Sequence, residues 1–66
     1  MNVLQLQLND IVFFDEDLIR ITDIEDSSFS RTITFDILDN SLFPVKVAWS
    51  FYVIYKSDFD KDFFNV

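Results

Sequence analysis

Apolar and polar residues alternate with a period of two along much of this chain, the pattern of β-strands that bury one face. In residues 29–37 the odd positions are apolar, except for Arg31, and the even positions are polar. Residues 45–55 carry a second and longer stripe of apolar odd positions. Both stretches are rich in β-branched and aromatic residues, so we predict two antiparallel strands here.

The two faces of the second of these strands lead to different expectations. The odd stripe predicts that Trp49, Phe51 and Tyr55 belong to the core. Tyr52 and Ile54 then lie on the opposite face and form an outward apolar pair. Either the chain's own C-terminal tail or a partner protein is expected to cover this pair, and a tyrosine anchor is typical of a protein interface.

Three shorter strands are predicted before these two. They cover residues 3–8, whose leucines share one face, residues 11–14, a continuous apolar run, and residues 18–24, with Ile19 and Ile21 inward. The continuous run is typical of a strand that is covered on both sides.

Clusters of Asp, Asn and Ser separate the predicted strands, as expected of turns. The chain contains no glycine. Any turn position with positive φ must therefore fall to Asn or Asp, the next most tolerant residues, and Asn9 and Asn40 are the candidates. After the last strand, Ser57 is a candidate N-cap for a short helix that would place Phe59 and Phe63 on one face.

Five short strands joined by tight turns predict a small barrel. Residues 8–12, LNDIV, resemble the G-D-x-V opening of small SH3-like barrels of the KOW and Tudor-like kind. Residues 32–45 resemble the x-V-x-F-x-x-D-G-x-x-F-P-V hairpin of those families, with Asn9 and Asn40 in place of their glycines. The resemblance implies an all-β fold, a five-stranded antiparallel SH3-like barrel in a single domain, residues 1–66. Members often bind nucleic acid through basic loops, which this chain lacks, so only the fold is carried over.

Charge and composition narrow the function. Twelve Asp and Glu residues stand against five Lys and Arg, a formal net charge of −7. Direct binding to nucleic acid or to an anionic membrane is not expected, because both are polyanions. The chain has no histidine and no cysteine, and so lacks the side chains that most often transfer protons, act as nucleophiles or bind transition metals. We therefore expect no enzyme activity, no cofactor and no metal.

One acidic run resembles a metal-binding motif. Asp58, Asp60 and Asp62 have the spacing of the first half of an EF-hand loop. The position that requires glycine holds Phe63, so specific calcium binding is not expected.

Size and apolar content point to a partner. Half of the 66 residues are hydrophobic, more than a domain of this length can easily hide, which favours an interface with another protein or with a second copy of the chain. Residues 1–8 contain no basic segment, and Lys46 and Ser50 interrupt the apolar run of residues 45–55. A cytoplasmic protein with no signal sequence and no membrane span is therefore expected. The scarcity of residues with GC-rich codons favours an AT-rich source, such as a low-GC bacterium, its plasmids or its phages.

These observations lead to a functional hypothesis. We expect a small acidic module of phage or mobile-element type that inhibits or regulates a basic nucleic-acid-handling protein, such as a nuclease or a defence protein. Its carboxylates would mimic the phosphates of DNA or RNA. The candidate contact residues are Asp15, Glu16, Asp17, Asp23, Glu25, Asp26, Tyr52 and Ile54.

Three other interpretations stay open. The acidic clusters are equally well a solvated surface that keeps an apolar chain in solution. The alternative function is a structural or assembly subunit that forms dimers or larger oligomers through a strand edge and its aromatic surface. A nucleic-acid-binding barrel would require convergence of the five basic residues, which are Arg20, Arg31, Lys46, Lys56 and Lys61.

Overall fold

A computed structural model describes residues 1–38 and 50–66, which form one antiparallel β-sheet and two single turns of 3-10 helix. The strands are β1 Ile11–Phe14, β2 Asp17–Asp26, β3 Ser30–Ile37, β4 Ser50–Tyr55 and β5 Phe64–Asn65. Their order across the sheet is β4-β3-β2-β1-β5. The predicted all-β class with five antiparallel strands is confirmed. Within the described residues, however, no pairing between β4 and β5 closes the sheet into a barrel.

The β1–β2 hairpin has an unusual turn. Asp15 and Glu16 connect the strands with φ of 51° and 70°, and positive φ at both central residues is the mark of a type I′ turn. This turn suits the twist of the sheet but costs about 1–2 kcal/mol for each residue other than glycine. Asn9, with φ of 71°, confirms the prediction of a left-handed asparagine, whereas Asn40 lies outside the described residues. The expectation that only Asn or Asp would take positive φ is wrong, because Glu16 does so as well.

A β-bulge in β2 changes which residues face the core. The pairing of β2 with β3 shifts between Ile21 and Asp23. Ile19 and Ile21 are fully buried, as predicted. After the bulge the even positions turn inwards, and Ile24 pairs with Ile33.

Strand β4 has the opposite orientation to the one predicted. Ile54 is only 2% exposed, whereas Phe51 and Tyr55 are 57% and 62% exposed. The register with β3 explains this reversal, since Ile54 lies opposite Arg31, on the same face as the buried Ile33. The prediction of an inward odd stripe is therefore wrong for β4, and Trp49 lies outside the described residues.

The N-terminal segment is a turn instead of the predicted strand. Val3–Gln5 form a 3-10 turn in which the Asn2 side chain accepts a hydrogen bond from the backbone N–H of Leu4. The Gln5 side chain in turn accepts from the backbone N–H of Asn2, which completes a capping box. Val3 and Leu6, three residues apart, are consequently the buried pair.

The C-terminal segment contains one turn of 3-10 helix, Lys56–Asp58, in place of the short helix predicted after Ser57. Tyr55 occupies the N-cap position, so Ser57 does not cap it. Phe59 and Phe63 pack against the core and are partly buried, and Phe64 in β5 is fully buried.

None of the described helical segments is long and apolar enough to span a membrane.

Candidate partner-binding surface

Five of the six acidic contact candidates form two exposed patches along β2. Asp15, Glu16 and Asp17 are exposed at the end of the β1–β2 hairpin and form the tip patch. Asp23 and Glu25 are exposed on the outer face of the sheet, opposite Thr34 and Thr32 of β3, and form the outer patch. Asp17 and Asp23 are six positions apart in β2, which is about 20 Å at the usual rise per residue.

Asp26 is part of an internal ion pair. The Arg31 guanidinium donates to both carboxylate oxygens of Asp26, at 2.6 Å from Nε and 3.0 Å from Nη2. Arg31 also donates to the backbone carbonyl of Val3 at 3.3 Å, so the pair is connected to the N-terminal turn. Asp26 therefore differs from the other acidic candidates, because an internal cation already neutralises it.

This ion pair gives a testable pH dependence. The hydrogen bonds from Arg31 hold the pKa of Asp26 below its ordinary value of 3.8. A carboxyl group whose pKa is lower in the folded state than in the unfolded state stabilises the fold at pH values above its unfolded-state pKa. This contribution is lost as the pH falls through its folded-state pKa. Wild type should therefore be more stable than Asp26→Asn near neutral pH, and the difference should shrink steadily as the pH falls below 3.8.

Urea unfolding of both proteins from pH 7 down to pH 2 would measure this difference. Glu25→Gln is the matched control, since it removes the same charge from an exposed residue without an ion pair among the described residues. A constant difference between wild type and Asp26→Asn at every pH would contradict the assignment.

The other described cations do not form a basic surface. Arg20 pairs with Asp36 at 3.4 Å, on the face of the sheet opposite to Arg31. Lys61 pairs with Asp58 at 2.9 Å, and the Asp58 carboxylate raises the pKa of Lys61. The convergence of basic residues that nucleic-acid binding would require does not occur among the described residues, and Lys46 lies outside them.

The two apolar candidates have separate positions. Ile54 belongs to the buried core, so its prediction as a surface anchor is wrong. Tyr52 is 42% exposed. It lies opposite the buried Ile33, on the core-facing side of β4. Its ring contacts that of Phe14 edge to face, with centroids 4.9 Å apart.

Tyr52 also lines a pocket that the sequence did not predict. The pocket has a volume of about 410 Å³ and lies between the hairpin tip, β4 and the C-terminal segment; its described lining residues are Phe14, Asp15, Tyr52, Asp62 and Phe63. No local motif could indicate it, because its walls come from three segments that are distant in the sequence.

Apolar side chains are also exposed elsewhere on the molecule. In the described part of the chain, the large hydrophobic residues at least 38% exposed are Leu4, Leu8, Ile11, Phe13, Phe29, Phe51, Tyr52, Tyr55 and Val66. Among the described residues, no group of three or more carboxylates is arranged to hold a metal ion.

Comparison with known proteins adds no relative. No protein-family model matches the chain, and neither the curated proteins nor the solved structures contain a match. The resemblance to SH3-like barrels therefore stays a prediction.

Proposed function

We propose that this chain is an acidic protein-binding module that occupies the nucleic-acid-binding surface of a basic protein. The observation that supports this function best is the imbalance of charge on the surface. Three of the four described basic side chains are held in ion pairs with Asp26, Asp36 and Asp58. The tip and outer patches have no such partner among the described residues, so their charge is available to a basic surface.

The separation of the patches favours an extended contact. A single exposed ion pair contributes only about 0–1 kcal/mol, so one patch alone would bind weakly. Two patches about 20 Å apart on one strand can contact a long basic groove, such as one that tracks a phosphate backbone. Charge complementarity of this kind accelerates association and makes binding sensitive to salt.

Capture of the partner is the first part of the test. The tagged chain is used to bind proteins from a lysate of the source cells, with washes in rising salt, and the captured proteins are identified by mass spectrometry. The purified partner is then bound to labelled duplex DNA or RNA. We expect the chain to displace the nucleic acid, with an inhibition constant that rises steeply with salt.

Two charge-reversal variants form the second part of the test. Glu16→Lys/Asp17→Lys changes the tip patch and Asp23→Lys/Glu25→Lys changes the outer patch, each by the same total charge. Reversal of a contacting patch should weaken partner binding by about tenfold or more, since attraction is replaced by repulsion at two positions. Equal and small effects of both variants, or no displacement of nucleic acid, would contradict charge mimicry.

The exposed apolar residues favour assembly as a second candidate function. Phe13 is 48% exposed and Tyr55 is 62% exposed, and β4 is an edge strand within the described part of the sheet. A self-associating subunit should form salt-tolerant oligomers and gain stability with concentration. Sedimentation velocity over a hundredfold range of concentration, in low and high salt, separates this function from the first.

A further inference from the structure

The pocket beside the hairpin tip combines aromatic walls with two carboxylates. Phe14 and Tyr52 meet at an interplanar angle of 65°, and Phe63 completes the aromatic lining. Asp15 enters from the β1–β2 turn and Asp62 from the C-terminal segment. Aromatic and carboxylate groups from three separate segments therefore face one space.

The packing behind the pocket holds its central wall in place. The Phe14 ring stacks on the buried ring of Phe64, with centroids 5.1 Å apart and 28° between the planes. It also meets the buried Phe35 edge to face at 6.0 Å. Because the core supports Phe14 on two sides, the wall is formed before any ligand arrives, which lowers the entropic cost of binding.

The lining selects a cation with an extended apolar or planar body. An anion would be repelled by both carboxylates, and a neutral apolar group would desolvate them without compensation. Aromatic faces attract cations through their quadrupole, and carboxylates bind them through charge and hydrogen bonds. Pockets that hold small ligands measure about 300–1,000 Å³, so the volume of about 410 Å³ is large enough for one side chain.

We propose that this pocket binds an arginine side chain of the basic partner, an inference that rests on the function proposed above. The planar guanidinium stacks on an aromatic ring and donates hydrogen bonds in a fork to a carboxylate, whereas the lysine ammonium is a compact and strongly hydrated charge. Asp62 Oδ1 lies 3.4 Å from the N-terminal ammonium, yet the Asp62 side chain stays 79% exposed and can accept further donors.

Titration of the isotope-labelled 66-residue chain with N-acetyl-arginine methylamide, followed by NMR, tests the pocket directly. The ring signals of Phe14, Tyr52 and Phe63 should shift and saturate. The corresponding lysine derivative should bind more weakly, and the neutral citrulline derivative should leave these rings unshifted. Equal binding of the arginine and citrulline derivatives would overturn the proposal.

Variants of the lining residues give the second measurement. Asp15→Asn/Asp62→Asn should weaken arginine binding by about tenfold, and Tyr52→Leu by about threefold, on the scale of exposed charge pairs and cation–π contacts. Asparagine accepts the positive φ of residue 15, and Asp62 is exposed, so the double variant should fold. The matched control, Asp23→Asn/Glu25→Gln, removes the same charge from the outer patch and should bind arginine almost as wild type does. An equal loss in the control would overturn the pocket as the binding site.

The captured partner separates this inference from the function on which it rests. The charge-reversal variants leave Asp15, Asp62 and Tyr52 unchanged. If these variants did not weaken partner binding, charge mimicry would be contradicted, whereas arginine binding by the pocket could still be observed. Conversely, unchanged partner binding by Asp15→Asn/Asp62→Asn would overturn the pocket's role in the complex. Charge mimicry would then depend on Glu16 and Asp17 of the tip patch and on the outer patch. Tenfold weaker partner binding by this variant, with the outer-patch control less affected, is the expected result.

Discussion

Replacement of Phe64 by alanine is expected to cause the largest loss of stability of any single substitution in this protein's sheet. Phe64 is fully buried, stacks on Phe14 and belongs to β5, a strand of only two residues. Truncation of a buried phenylalanine costs about 3–5 kcal/mol, because it removes apolar contact and leaves a cavity. The total stability expected for a chain of this length is about 3–10 kcal/mol, so this loss is a large fraction of the total.

Circular dichroism during urea unfolding measures the effect. Phe29→Ala makes the same truncation at a side chain that is 75% exposed, and it should change the free energy of unfolding by less than about 0.5 kcal/mol. Phe64→Leu should keep the fold with a smaller loss, so the position can be studied even if the alanine variant does not fold. Equal effects of Phe64→Ala and Phe29→Ala would be inconsistent with a buried Phe64.

Ile54→Ala is expected to have the second largest effect on stability. The Ile54 side chain is 2% exposed and lies in the core cluster with Ile33. Its truncation should cost about 2–5 kcal/mol. Tyr55, the next residue, is 62% exposed on the other face, and Tyr55→Ala should therefore have a much smaller effect.

The comparison of these two variants decides the orientation of β4. The apolar stripe of the sequence predicts the reverse ranking, with Tyr55→Ala as the more destabilising change. A larger loss for Tyr55→Ala than for Ile54→Ala, measured by urea unfolding, would show that the register with β3 is wrong. The two variants are well matched, because both residues lie in β4 and both pair with residues of β3.

The three strands β1, β2 and β3 could be predicted from local pattern. The expectation that β1 is covered on both sides is wrong, however, since Ile11 and Phe13 are 38% and 48% exposed. Ile19, Ile21, Ile33 and Phe35 alternate with polar residues, and all four are buried as expected. In such a segment only one face is apolar, so the alternation alone determines which face turns inwards. The bulge in β2 was not predictable, since it appears only in the pairing with β3.

The orientation of β4 could not be decided in this way. Phe51, Val53 and Tyr55 are apolar at odd positions, and Tyr52 and Ile54 are apolar at even positions. Both faces satisfy the pattern, and a shift of one residue in register exchanges them. The hydrogen bonds with β3 settle the choice, and these join residues about twenty positions apart.

The N-terminal turn was misread for a related reason. Alternating Leu and Gln in residues 3–8 fit a strand, although Asn2 followed three residues later by Gln5 is also the signature of a capping box. Two hydrogen bonds stabilise the turn: the Asn2 side chain accepts one from the backbone N–H of Leu4, and the Gln5 side chain accepts one from the backbone N–H of Asn2.

The sequence by itself determined the all-β class, the excess of negative charge and the surplus of apolar residues, because these depend on composition and on the spacing of neighbours. Only the tertiary structure decided that Arg31 neutralises Asp26, that Ile54 is core, and that a pocket exists. Asp15 and Asp62 meet at that pocket although 46 intervening residues separate them. Side-chain contacts of this kind follow from strand register and chain reversal, which no local pattern of residues specifies.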